Sequence, residues 1–291
     1  MPHKSAVRCK VLALCTLRLN QKVIAFRRPS NKPPAMQKFN SAGVEIAYEF
    51  WGQGKPVLLI HGFASNAFVN WRDTGWVKAL NDAGYQAIAI DNRGHGESEK
   101  FYDKALYSAP LMADDARRLL DHLGIARAAV MGYSMGARIS AFLTMQYPER
   151  VACAVFAGLA SRMITGVGGA EEIAAALEAP NLAAVVDRGA RGFRVFADST
   201  KSDRAALAAC IRSTRVKIKE EALAAIRTPV LVVAGELDEV AGPVEGLTSV
   251  IPNSQGVVLP KRNHMNAVGD SGYKAAVVTF LAQSYGLGEL I

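Results

Sequence analysis

Ala128-Ala129-Val130-Met131-Gly132-Tyr133-Ser134-Met135-Gly136 runs straight into the stretch Ala137 to Tyr147, and that junction decides the fold. Ala128 to Met131 is a short apolar run that reads as a buried strand. Ala137 to Tyr147 is apolar and helix-favouring, and Pro148 stops it. Gly132-x-Ser134-x-Gly136 occupies the turn between the two. Flanking glycines let the backbone make a sharp strand-to-helix reversal, which holds the serine up at the sheet's edge. The new helix aims its free N–H groups and the positive end of its dipole at the space beside that hydroxyl. This setting suits a nucleophile whose product oxyanion needs stabilising, so Ser134 is the candidate nucleophile.

A serine hydroxyl is a poor nucleophile at neutral pH and needs a base. The chain has five histidines, at positions 3, 61, 95, 122 and 264. In this architecture the partners follow the serine in the order serine, acid, histidine. His264 is the one histidine after Ser134, and it stands on a loop just past the apolar run Gly256-Val257-Val258-Leu259. The acid is expected between them. The β-favouring run Thr228 to Gly235 is followed by Glu236-Leu237-Asp238-Glu239. Asp238 is the choice, with Glu236 and Glu239 as local rivals and Asp270 as a distant one. Its task would be to accept the second imidazole N–H and stabilise the imidazolium that forms.

An oxyanion needs two converging backbone N–H donors. One is expected from Met135, the residue after the nucleophile. The other is expected from Phe63, in the loop His61-Gly62-Phe63-Ala64 that ends the apolar strand Lys55 to Ile60. The His61 side chain is read as holding that loop in shape. Asp91-Asn92-Arg93-Gly94-His95-Gly96-Glu97-Ser98 follows another strand and reads as a structural turn with internal hydrogen bonds. Phe63, Met135 and Trp71 flank these loops and are the candidate substrate-binding residues.

These pieces together resemble the α/β-hydrolase superfamily, in the branch of esterases, lactonases, cofactor-free haloperoxidases and carbon–carbon bond hydrolases. The resemblance rests on His61-Gly62-Phe63, Asp91-x-Arg93-Gly94-His95-Gly96-x-Ser98, Gly132-x-Ser134-x-Gly136, Gly235-x-x-Asp238 and His264, in that order, across about residues 40 to 286. Two positions depart from the pattern of many relatives. Ala137 stands where a second glycine is common, and Asn263 where glycine often precedes the histidine. Neither removes a reacting group. Haloalkane dehalogenases and epoxide hydrolases of this superfamily use aspartate at the elbow, where this chain has Ser134. The resemblance implies a mostly parallel sheet covered by helices on both faces, with a helical cap over the active site.

The chain alternates apolar strands with helical stretches, which independently predicts an α/β fold with a parallel sheet. Strands are expected near 44–50, 56–61, 86–91, 128–133, 152–158, 229–235 and 255–259. Helices are expected near 70–83, 109–123, 135–147, 242–251 and 272–285. The alternation breaks in the alanine-rich stretch 161–225, the expected cap, leaving 36–160 and 226–291 as the hydrolase core. Met163, Phe193 and Phe196 in that insertion are candidates to line an acyl pocket, but such residues are more often cap packing and are not counted as site residues. The chain's 291 residues suit one large domain.

The net charge of +8 suggests a polyanion partner until it is located. Residues 1–35 carry eight basic and no acidic residues, and the rest of the chain is formally neutral with 26 of each sign. No nucleic-acid partner is therefore expected. No run approaches the ~20 apolar residues of a membrane span, so no membrane partner is expected either. Pro29, Pro33 and Pro34 make the end of the basic head a linker. That head reads as a disordered tail, a targeting segment, or sequence preceding a true start at Met36. Four cysteines in scattered positions suit a reducing cytoplasm rather than a disulfide framework. No metal-ligand spacing, P-loop or dinucleotide fingerprint is present, so no metal or cofactor is expected. The expected partner is a small-molecule substrate, and the oligomeric state is open.

The leading functional reading is an acyl-transfer hydrolase acting through an acyl-enzyme on a small carboxylic ester or lactone. A cofactor-free haloperoxidase or perhydrolase and a carbon–carbon hydrolase are alternatives. A non-catalytic ligand receptor, whose usual sign is a missing triad member, is disfavoured because none is missing.

Overall fold

The computed structural model describes residues 36–286. The basic head, with its linker and start-site readings, lies outside the described residues. Eight strands form one sheet: β1 (Gln37–Ser41), β2 (Val44–Trp51), β3 (Lys55–Ile60), β4 (Tyr85–Ile90), β5 (Ala128–Tyr133), β6 (Val151–Ala157), β7 (Val230–Gly235) and β8 (Ser254–Leu259). Their order is β1-β2-β4-β3-β5-β6-β7-β8. β2 pairs antiparallel with β1 and β4, and every pairing from β4 through β8 is parallel.

β1 is one strand more than the sequence reading expects. Its polar Gln37-Lys38 opening hides it, but the turn after it is legible in hindsight. Ala42 and Gly43 both have positive φ, 51° and 94°, the geometry of a two-residue hairpin. The Asn40 carboxamide accepts the Gly43 N–H at 2.7 Å and closes that turn.

The helices are α1 (Trp76–Asp82), α2 (Ala109–His122), α3 (Met135–Gln146), α4 (Arg162–Thr165), α5 (Ala170–Glu178), α6 (Arg188–Ser199), α7 (Arg204–Thr214), α8 (Glu220–Ala224), α9 (Glu245–Thr248) and α10 (Ser271–Ser284). The expected helix 70–83 is split. A π-helical turn covers Phe68–Arg72, and α1 starts only after Gly75, whose φ of 81° breaks the helical path. The expected helix 242–251 shrinks to α9, because Gly242 has φ 71° and Pro243 lacks the N–H that a helix continued through it needs. Between β6 and β7 the chain is entirely helical and connecting, α4 to α8.

The central strands are buried on both faces, so their side chains feed two cores. Leu58, Ile60, Val130 and Phe156 join one core with α2 and α3. Leu59, Met131, Val155 and Val233 join the other, with α1 and α10. Strand periodicity sends alternate residues to opposite faces. β3 lies between β4 and β5, so the chain reverses its direction of travel across the sheet at the β3–β5 boundary. Such a switch point opens a crevice at the carboxyl ends of the strands. The loops after β3 and β5 both emerge there.

Among the described residues no helix is long and apolar enough to cross a membrane, and no group of three or more His, Cys, Asp or Glu could hold a metal ion.

Candidate active site

Ser134 is the residue between β5 and α3, and its backbone is strained: φ 54° and ψ −111°. A non-glycine residue there costs on the order of 1–3 kcal/mol and persists only where the surroundings over-determine it. Here they do. The Ser134 N–H donates to the Ala157 carbonyl at 2.7 Å, extending the β5–β6 ladder through the turn. A Cβ on Gly132 would collide with the Gly136 carbonyl, and one on Gly136 would collide with the Ile60 carbonyl. The two glycines are thus required by close approach of backbone to backbone.

His264 stands on the loop after β8, and its Nε2 lies 3.0 Å from the Ser134 hydroxyl oxygen. Its Nδ1 lies 3.0 and 2.9 Å from the two Asp238 carboxylate oxygens. An ionised carboxylate can only accept, so Nδ1 carries the proton and Nε2 accepts from the serine. The Asp238 side chain is fully buried, and the backbone N–H groups of Val240 and Ala241 donate to its Oδ1 at 3.0 and 2.9 Å. The rivals have other tasks. Glu236 accepts the Lys261 N–H, and Asp270 caps α10 and pairs with Arg262 at 2.7 Å. Glu239 is exposed.

One contact was not legible in the sequence. The Tyr133 hydroxyl donates to the His264 backbone carbonyl at 2.6 Å, and the two rings lie 5.5 Å apart. The residue before the candidate nucleophile therefore ties down the loop that carries the candidate base.

Among the described residues no hydrogen-bond acceptor takes the N–H of Phe63 or Met135. Gly62 brings the Phe63 loop against the elbow, since a Cβ at Gly62 would sit 3.5 Å from the Ser134 Cβ. His61 is fully buried and bridges two loops. Its Nδ1–H donates to the Gly62 carbonyl at 2.7 Å, and its Nε2 accepts the Asn92 N–H at 3.0 Å. Burial pushes its pKa well below the ordinary value, so it is neutral. Asp91 accepts the N–H groups of Ala67 and Glu97, and Arg93 forms a buried bidentate pair with Asp115 at 2.8 and 2.9 Å. Bonds inside the turn from Asp91 to Ser98 hold it too: the Ser98 hydroxyl donates to the Asp91 carbonyl at 2.6 Å, and the His95 N–H to the Asn92 carbonyl at 2.9 Å.

Ser134 faces a small cleft of about 40 Å³. Phe63 and Met135 line it, as does Phe193 of α6, the pocket alternative of its two readings. Met163 is fully buried in the core and is not part of the lining. Trp71 corrects the reading more sharply. It is fully buried against Trp76 in the core on the opposite face of the sheet and does not line the cleft. Proximity of its loop to Phe63 in sequence suggested the wrong face. Arg138 and Arg215 also line the cleft, and neither was singled out.

A family model described as alpha/beta hydrolase fold matches residues 55–194. The chain is 45% identical over 94 residues to the non-heme chloroperoxidase CPO-A1 of Kitasatospora aureofaciens, covering 32% of each chain. It is 34% identical over 121 residues to epoxide hydrolase B of Mycobacterium tuberculosis, covering 40% of this chain and 33% of that one. These matches span about a third of the length of the curated relatives. Among solved structures, the bromoperoxidase of Bacillus anthracis aligns with a TM-score of 0.69 at 26% identity, over 85% of this chain and 99% of that one. Residues 55–194 match that family, and the fold around them is that of an α/β hydrolase.

Proposed function

We propose that the protein is a serine hydrolase in which Ser134, His264 and Asp238 act as a triad on a small carboxylic ester or lactone. The observation that carries the reading is the unbroken relay from the Ser134 hydroxyl through His264 to the buried Asp238 carboxylate. His264 Nε2 takes the proton as Ser134 Oγ attacks the carbonyl carbon. Charge that develops on the carbonyl oxygen meets the free N–H groups of Met135 and Phe63. Each such donor contributes about 3 kcal/mol to transition-state stabilisation. Collapse expels the alkoxide, which takes the proton from His264, and an acyl-Ser134 ester remains. Water then attacks that ester with His264 as base, and Ser134 is regenerated.

A second reading is cofactor-free haloperoxidase or perhydrolase chemistry, in which peroxide replaces water in the last step. The likeness to a non-heme chloroperoxidase favours it. The same triad serves both.

The test is a screen of p-nitrophenyl esters of rising chain length and of lactones, with and without peroxide, beside Ser134→Ala. The variant is expected to stay folded and lose hydrolysis by several orders of magnitude, because triad members act as a unit. Retention of most turnover would refute the assignment. A fluorophosphonate is expected to label Ser134 alone, as read by peptide mass spectrometry.

A further inference from the structure

Arg93, Arg138 and Arg194 are the buried arginines among the described residues. Two have a carboxylate partner. Arg93 pairs with Asp115 at 2.8 Å, and Arg194 with Asp198 at 2.9 Å. Arg138 has none. Its Nη1 donates to the backbone carbonyls of Met163, at 3.4 Å, and Val216. No acceptor among the described residues takes its Nε or Nη2, although the side chain lines the cleft at Ser134.

A second guanidinium shares that cleft. Arg215 donates to the Gly168 carbonyl and lies 5.9 Å from the Phe193 ring, again without an ion pair. Exposed Glu172 acts on it only at longer range. Burial and the charge of Arg215 push Arg138 down to about 10, so it stays charged at neutral pH. Two cations lining one cleft repel each other, and Arg138 is buried while Arg215 is partly so. A buried charge without a counter-ion is destabilising, and an arriving anion would offset that cost. The planar fork of arginine matches a carboxylate.

Resting on the serine-hydrolase reading, we infer that Arg138 and Arg215 bind a carboxylate on the acyl part of the substrate, so that the preferred substrates are half-esters of short dicarboxylic acids. The reach fits. Arg138 lies one helical turn beyond Ser134, its N–H donating to the Ser134 carbonyl at 3.3 Å, and both residues line the cleft.

The test separates binding from turnover. Ser134→Ala protein is titrated calorimetrically with monomethyl glutarate and with its neutral counterpart methyl valerate. The anion is expected to bind at least about tenfold more tightly, the strength of one charge-assisted contact. Arg215→Gln in the same background is expected to abolish most of that preference. It is chosen because Arg138 also ties α4 and the segment after α7 to α3, so its replacement risks the fold. Equal binding of the two ligands, or an unchanged preference in Arg215→Gln, would overturn the inference. Active enzyme is then assayed on the p-nitrophenyl half-ester of glutaric acid against p-nitrophenyl valerate. The kcat/KM ratio is expected to favour the anion and to collapse in Arg215→Gln. Protein that keeps the anion preference yet hydrolyses neither ester would sink the hydrolase reading and uphold the carboxylate site.

Discussion

Asp238, Glu236 and Asp270 show how three nearby carboxylates divide the work. All lie near the end of β7 or the start of α10, but only Asp238 is buried with its oxygens on an imidazole N–H. Replacing it with asparagine nearly preserves shape but lets the amide donate, which favours the wrong tautomer of His264. Asp238→Asn is expected to lower kcat/KM on the best ester by about 10³–10⁴-fold, as in a triad on another fold. Glu236→Gln and Asp270→Asn are expected to cost far less activity. Asp270→Asn keeps the cap acceptor and loses only the charge of the Arg262 pair, so its small cost falls on stability. All three would be assayed at one pH with unfolding curves. A crippled Glu236→Gln beside a mild Asp238→Asn would show the acid to be misassigned.

At the scale of elements, the elbow works because β5, α3 and the end of β3 come within backbone contact. Gly136 is the tightest point, with the Ile60 carbonyl where its Cβ would stand. Gly136→Ala must therefore push α3 away from β3 or distort Ser134. The expected loss is about 2–3 kcal/mol of stability, the usual cost of overpacking, together with most of the activity. Gly168→Ala is the control. A Cβ there meets nothing within 4 Å, so urea unfolding should barely change. Equal midpoints for the two variants would remove the close-approach argument.

For the whole molecule, buried titratable groups beneath the site link stability to pH. Burial lowers His95 from its ordinary 6.5 to about 4, and it lowers His61 as well. A histidine held below its unfolded pKa contributes stability that is fully present above about pH 6.5. That contribution fades as pH falls through about 4, and a shift of this size is worth about 3 kcal/mol. Asp91 works in the other direction. Burial raises it from 3.8 to about 6, so its contribution is present below pH 3.8 and lost as pH rises through 6. Two histidines outweigh one aspartate, so the melting temperature is expected to fall between pH 7 and pH 4.5. His95→Gln should flatten that fall, as read by thermal unfolding at the two pH values. An identical fall in the variant would exclude His95 as a source.

The sequence by itself determined the local things. A strand–glycine–serine–glycine–helix junction is written in neighbouring residues, and strand alternation marks which positions are apolar. Chain order then narrowed the base to His264, and a carboxylate after a strand nominated Asp238. Only the tertiary structure decided what depends on which face of the sheet a crossover covers. Trp71 lies close to Phe63 in the chain but packs on the opposite face. Tyr133 reaches a carbonyl 131 residues away, and Arg138 meets the Val216 carbonyl 78 residues on. Such pairings leave no local periodicity, because they are set by how the β3–β5 switch point and the helical segment between β6 and β7 come together. The missing carboxylate beside Arg138 is a fact of that same kind: an arginine on an apolar helix looks ordinary until every neighbour is in place.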